Sequence, residues 1–489
     1  MEHKRSGKIA IALIPVIVLV GLLALDISIF GSDAILGPSQ VSLLVATGIC
    51  VWLSMWRYKT PWSTFEDAIR SNVGDVTNAI VILLLIGALS GAWTASGIVP
   101  TFIYYGLKII SPKVFLLSAC ALCALVSLMV GSSWTTIATI GVALMGIGKA
   151  EGFSDGLIAG AIISGAYFGD KISPLSDTTV MASSINRVPL FSHIRYLMIT
   201  TVPSITITLI VFTVLGLSHQ GAPAAQVEQY AQALDRTFNL SPWLMIVPLV
   251  TAWLIARKRP ALIVLAISTV LASAFALFFQ PDLVAGIGEK VVQGSRAKVF
   301  FAGTMESVYN SVTIVTGNPE VDALVSTRGM LGMLNTIYLI ICGMCFGGCM
   351  RAGGMLREIS RLILPLARRR FGLVSTTVAS GTFLNGIVSD QYLSIILTSD
   401  IFRDTYDKEG YERRLLSRSV EDSATVTSPL FPWSSCGMTQ STILHVPTIA
   451  YLPYCFFNWI SPLMSITVAA LGYRIFRKPD PETESPAQR

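Results

Sequence analysis

The chain has 489 residues, of which 53% are hydrophobic and only 13% charged, with a formal net charge of +6. A water-facing surface takes about 25% charged residues, yet no Lys, Arg, Asp or Glu occurs in 76–107, 114–148, 196–227, 329–350 or 423–473. A bilayer is crossed by roughly 20 apolar residues, so these runs exclude a soluble enzyme, a disordered chain and a fibre.

The expected class is an all-α polytopic membrane protein. Barrel strands alternate apolar and polar residues and leave no long apolar runs, so a β-barrel is excluded. The surplus of bases says nothing about nucleic acid, and none is expected as a partner. The cysteines at 50, 120, 123, 342, 345, 349, 436 and 455 all lie in apolar segments and read as buried thiols. With the histidines scattered, they predict neither a metal site nor a disulfide framework.

In chain order, Lys4, Arg5 and Lys8 precede an apolar run from Ile9 to Leu25. That run is too long for a signal-peptide core and reads as a retained first helix. Spans are predicted at 9–30, 36–56 and 76–97, with an amphipathic stretch at 61–75. The segment 112–149 is a hairpin broken at Gly131-Ser132-Ser133-Trp134, and 154–186 is a helix broken at Asp170–Thr179. An uninterrupted span, 192–217, leads to a polar loop, 218–240. The second half holds spans at 242–256, 261–279 and 330–350. A broken hairpin at 371–402, a broken helix at 419–440 and a last span at 446–473 complete it. Segment 282–328 reads as an amphipathic or re-entrant cap. About 10–13 membrane segments result.

Bases collect in cytoplasmic loops. Arg257-Lys258-Arg259, the arginines at 351, 357, 361, 368, 369 and 370, and the tail bases Arg474, Arg477 and Lys478 therefore place both termini in the cytoplasm. Loop 218–240 then faces out. Lys108 and Lys113 fall on the outside against this trend.

Two halves, 1–240 and 241–489, carry degenerate copies of one pattern. Glu151-Gly152-Phe153 is followed by Ser173-Pro174-Leu175, and Glu409-Gly410-Tyr411 by Ser428-Pro429-Leu430. Gly131-Ser132-Ser133 breaks the first hairpin; Gly381-Thr382 and Asn385-Gly386 are expected to break the second. The predicted topology inverts one copy relative to the other, a common plan of secondary transporters. A chance match of short Gly/Ser/Pro strings is the alternative.

A backbone break in hydrocarbon strands polar groups, so breaks persist only where they are buried or line a polar cavity. Four breaks at matching places predict one central cavity lined by hydroxyls, the hard oxygen ligands that alkali cations prefer. Asp170, Lys171 and Asp177 lie inside an otherwise apolar segment, where charges are expensive and by default functional. Pro174 forbids a continuous helix between the two acids, which lets both point into one cavity. An ordinary surface loop is the bland alternative. Ser173 and Thr178 lie beside them. In the second half Asn385, Asp390, Glu421, Asp422, Thr427 and Ser428 form the matching set. Glu421 alternatively serves a cytoplasmic cap with Arg418.

The string Gly165-Ala-Tyr-Phe-Gly169-Asp170-Lys171-Ile-Ser173-Pro174-Leu-Ser176-Asp177-Thr178-Thr179 resembles the signature of the NhaC family of Na+/H+ antiporters. Asp390-Gln391-Tyr392-Leu393 and Glu421–Trp433 are similar to that family's second-half motifs. Gly131-Ser132-Ser133-Trp134 departs from an expected Gly-Thr-Ser-Trp but keeps the hydroxyl.

The resemblance implies two inverted repeats of broken helices and re-entrant hairpins in a bacterial inner membrane. It implies exchange of Na+ for H+ by alternating access, with cation and proton sharing intramembrane carboxylates. Some members instead exchange organic acids, malate against lactate, so a Na+- or H+-coupled organic-acid or amino-acid exchanger is the second reading. Na+ is expected at Asp170, Asp177, Ser132, Ser133 and Ser173. No cofactor is expected beyond the transported Na+ and H+. The expected partners are the lipid bilayer and a small ion or organic-acid substrate, with a homodimer left open. An intramembrane aspartyl protease is the rival from another class, but nothing in the repeat calls for a peptide-sized cleft. No Walker sequence is present, so ATP is not the predicted energy source.

Overall fold

Hydrocarbon offers a backbone no hydrogen-bond partners, so a chain this apolar satisfies its N–H and C=O groups within helices. The computed structural model describes residues 2–219, 221–257, 259–363 and 369–477. Lys258, Arg368 and Lys478, counted among the cytoplasmic bases, lie outside the described residues. Among the described residues the architecture is all-α, with two isolated bridges, Val312–Thr327 and Tyr411–Arg477, in place of any sheet.

Among the described residues seven helices are long and apolar enough to cross a membrane, and up to ten if each sharply bent pair is one span. Ten meets the lower end of the expected number. The first limb of each hairpin is counted, whereas the return limbs and the pieces of the two broken helices are individually too short or too polar. The chain from 77 does not stop at 97: Thr77–Ala95 bends by 66° into Ile98–Ile109. Segment 218–240, where the sequence predicts a polar loop, contains an amphipathic helix, Ala224–Thr237. Segment 282–328 covers three short helices, of which Pro281–Glu289 and Arg296–Tyr309 pack face to face and Pro319–Leu324 follows.

The first hairpin descends through Pro112–Val130, breaks at Gly131 and Ser132, and returns through Ser133–Ala150 with a π-helical turn at Ile137–Gly141. Its two ends share a face. Gly148 packs against the Phe115 ring, Gly221 against Pro112, and Ala222 N donates to Glu151 O at 3.0 Å. The second hairpin runs through Arg369–Val388 and returns through Gln391–Lys408. It ends beside the C-terminal segment, where Tyr411 bridges Arg477 and Glu412 N donates to Phe476 O.

These are opposite faces. The 29-residue helix Leu190–Ser218 connects them, about 43 Å long at 1.5 Å per residue. Tyr196 near its start donates to Arg474 O, and Gly216 near its end packs on Lys113. The two hairpins therefore enter from opposite sides, the inverted plan expected from sequence.

The break in the second hairpin is not at 381–386. Helix 369–388 runs straight through those residues, and the turn comes at Ser389 and Asp390. Gly381 is a packing glycine: a Cβ there would run into the Ser423 side chain. Asn385 stays helical and spends its amide on the Ala424 carbonyl at 2.7 Å. The true break is carried by a left-handed residue, Ser389 at φ 62°, in the place that Gly131 at φ 71° holds in the first hairpin.

Each hairpin is crossed by a broken helix. The first comprises Asp155–Ile172, a turn at 173–176 closed by Ser176 N donating to Ser173 O, and Asp177–Ile185. The second comprises Arg413–Val420, a π-helical turn Glu421–Thr425, a short turn Ser428–Leu430 and Ser435–Leu444. Pro174 and Pro429 explain why neither helix continues. Gly165 and Gly169 let the first broken helix touch the hairpin backbone at Cys120 and Ala124, where any Cβ would collide.

Candidate functional site

The hairpin tips and the interrupted stretches converge on a cavity of about 980 Å³. Its walls include Ser132, Ser133, Asp170, Asp177, Thr178 and Asp390, and it extends past Ser184 and Ile185 to Arg259 and Arg351. Arg403, in the return limb of the second hairpin, donates to the Ile185 carbonyl at 3.1 Å. The cavity thus reaches toward the face that carries the C-terminal segment.

Both hairpin tips present the N-terminus of a return limb, which carries partial positive charge and unpaired N–H groups. An aspartate answers each one. Asp390 caps its own helix, accepting from Leu393 N at 2.9 Å through Oδ1, while Ser435 Oγ donates to Oδ2 at 3.3 Å. In the first hairpin Ser132 caps its own limb, accepting from Thr135 N at 3.3 Å. The acid comes from another element: Asp170 Oδ2 accepts from Ser133 N at 3.1 Å and from Ser133 Oγ at 2.7 Å. Asp170 is buried in the last turn of its helix, whereas Asp177 is exposed to the cavity in the first turn of the next. Three carboxylates and several hydroxyls around one polar volume suit a small hard cation or a proton.

The remaining expected site residues lie behind the wall. Lys171 points away from Asp170 into the second half, where it pairs with Asp422 and donates to Ser461 Oγ at 2.7 Å. Asp422 also accepts from Thr200 at 2.9 Å, with Arg418 Nε 3.8 Å from its other oxygen. These charged side chains are completely buried. Glu421 is no surface cap; it too is completely buried. Ser173 donates to the Leu128 carbonyl and does not line the cavity. Asn385 ties the second hairpin to Ala424 O and to Thr427 Oγ1, and Ser428 donates to Thr425 O.

Sequence reasoning missed Ser435, which holds Asp390, and Thr200 and Ser461, which hold Asp422. A hydroxyl in an apolar span ordinarily bonds its own helix, so nothing local marked these three. Arg259 and Arg351 were read only as topology signals, although both line the cavity.

The profile of the Na+/H+ antiporter family matches residues 7–185 and 165–473. The Na(+)/H(+) antiporter NhaC of Bacillus subtilis (strain 168) is 34% identical over 438 residues, 88% of this chain and 91% of the relative. The malate-2H(+)/Na(+)-lactate antiporter of the same organism is 34% identical over 89% of this chain and 90% of its own length. The arginine/ornithine antiporter ArcD of Halobacterium salinarum (strain ATCC 700922 / JCM 11081 / NRC-1) is 32% identical over 98% of this chain and 94% of its own.

Proposed function

The chain belongs to the Na+/H+ antiporter family, and on that premise we propose that it exchanges Na+ for H+ at the Asp170 carboxylate by alternating access. The observation that carries this reading is the trans-cap: Asp170, buried at the cavity wall, holds the tip of the first hairpin through Ser133. A Na+ ion bound there takes its oxygens from Asp170, Asp177 and the hydroxyls of Ser132 and Ser133. A proton on Asp170 competes for the same oxygens, which is sufficient for exchange when the site faces one side at a time. Asp390, at the matching tip, is the counterpart that completes the polar floor.

Bases favour the cytoplasmic side. Arg259, Arg351 and the tail arginines then make the described state inward-facing, with both termini in the cytoplasm of a bacterial cell. The halves 1–240 and 241–489 act as the two inverted repeats that rock against each other.

One observation favours a second reading. A cavity of about 980 Å³ with Arg259 and Arg351 in its lining is far larger than a bare ion requires. An organic carboxylate would lie between those arginines and the acidic floor, as relatives named for malate, lactate or arginine suggest. Purified protein in liposomes under a pH gradient, offered Na+, malate, lactate and arginine in turn, separates the readings. Na+ flux with no organic flux supports Na+/H+ exchange; organic flux that needs no Na+ overturns it.

A further inference from the structure

Glu421 opens the π-helical turn of the second broken helix and is completely buried, and neither of its carboxylate oxygens is held by a cation or a backbone N–H. Its sequence neighbour is treated differently. Asp422 Oδ1 accepts from Lys171, Thr200 and Ser461, so that acid is held as an anion by a cation and two hydroxyls. A carboxylate in a dry interior that no cation or backbone N–H holds is a costly state for a side chain, and the ordinary relief is to take up a proton.

The surroundings allow that proton to move. Asp170, Lys171 and Asp422 are the charges that act on Glu421. The other buried charged or titratable side chains on the elements around the turn are His193, Tyr196, Asp390, Tyr406 and Arg418, with Asp177 and Tyr392 lining the cavity on two elements packed against it. The second hairpin's first limb brings none between Phe371 and Val388, and the last helix none between Phe456 and Leu471. One turn beyond Glu421, the Thr425 hydroxyl faces the carboxylate and has no other partner. Ser428 donates to the Thr425 carbonyl at 2.8 Å and reaches Gln391 Oε1 at 3.3 Å, and Gln391 lines the cavity. A polar trail thus runs from the cavity to Glu421 through a π-turn, a local irregularity that recurs at functional sites.

We infer that Glu421 is a second proton-carrying site, separate from the cation site at Asp170. It rests on the antiport reading above and deepens it: each cycle moves one proton at Asp170 and one at Glu421 against one Na+. Glu421 takes a proton from water on one face, becoming a neutral carboxyl, and releases it on the other. Two charges move one way and one the other, so the exchange is electrogenic.

The test is the balance point of exchange in proteoliposomes clamped at zero potential, read as the Na+ gradient that stops net Na+ flux. For two protons per Na+, a gradient of one pH unit is balanced by about a 100-fold Na+ gradient, and for one proton by about a 10-fold gradient. The wild type is expected at the first value, Glu421→Gln at the second, and Glu421→Asp, which stays titratable, at the first. Glu421→Gln balancing where the wild type does overturns the proposal. So does a wild type that balances at the 10-fold gradient, which decides the matter even if Glu421→Gln fails to reconstitute. A wild type with no Na+-coupled flux at all instead sinks the antiport reading beneath it.

Discussion

Asp170 and Lys171 are consecutive in the chain and serve opposite sides of the molecule: Asp170 grips Ser133 at the cavity wall, and Lys171 grips Asp422 in the buried interior of the second half. Successive residues of a helix point about 100° apart, so the last turn of one helix ties the first hairpin to the opposite repeat. Loss of charge at Asp170 is therefore felt at a joint between the two halves.

Asp170→Asn keeps the shape of the side chain and removes its titratable charge. The variant is expected to insert and to elute as a single species in detergent, while exchange falls to that of empty liposomes. Wild-type Na+ flux at every pH in this variant would make Asp170 a purely structural residue.

The Lys171–Asp422 pair predicts a coupling. Removing one partner of a buried pair strands the other charge and costs about 3 kcal/mol. Lys171→Met is therefore expected to destabilise the protein by that order, and Asp422→Asn likewise. The double variant should lose less than the sum, by about 1–3 kcal/mol. Chemical denaturation of all four proteins closes the cycle, and strict additivity would mean that the pair does not interact.

Ser389 makes a prediction in the other direction. A non-glycine residue held left-handed costs about 1 kcal/mol, and the Ser389 hydroxyl has no hydrogen-bond partner to lose. Ser389→Gly is expected to stabilise by about that amount. Gly131→Ala should destabilise, since its Cβ would lie 2.6 Å from the Leu175 backbone. A drop in the denaturation midpoint for Ser389→Gly would show that the left-handed turn is not strained.

If Na+ and H+ share the Asp170 oxygens, each weakens the other by the same factor. Below the pH at which that site titrates, the apparent Na+ constant should climb about tenfold per pH unit while the maximal rate changes little. Initial Na+ flux against Na+ concentration at several pH values measures this. An apparent constant that stays level across the active range rules out a shared site.

Glu151 sits in the turn that follows the first hairpin, and burial pushes its carboxyl up to about 6. A group whose folded value lies above its unfolded one binds more protons when folded. Its contribution thus favours the fold below about 4.5 and is lost as pH rises through about 6. The melting temperature of the wild type minus that of Glu151→Gln should fall across that window. A difference that is constant with pH would place the carboxyl in ordinary water.

Much of the fold was legible because lipid makes composition nearly a map of structure. The tip at Gly131 and the interruptions at Pro174 and Pro429 were marked by residues that cannot continue a helix. The second tip was misplaced because its left-handed residue is a serine, while Gly381 and Gly386, which look like a break, are sites of close packing. The acids could be read because charge in an apolar run is rare; which way each points could not. Asp170 and Lys171 look alike in a string, and only the packing of the helix against both halves separates the cavity wall from the buried interior. Glu421 and Asp422 also look alike in the string, and although both are buried behind the cavity wall only Asp422 is paired with Lys171.

The eight cysteines have a practical corollary. All are free thiols, and none lines the cavity among the described residues. The native chain is thus a quiet background for chemical labelling, and Ser184→Cys would put one reactive thiol in the wall of the cavity. A maleimide that cannot cross the bilayer should reach that thiol from one side of a vesicle in the state described. Protection or fresh exposure when Na+ is added would then report, molecule by molecule, which side the transporter faces.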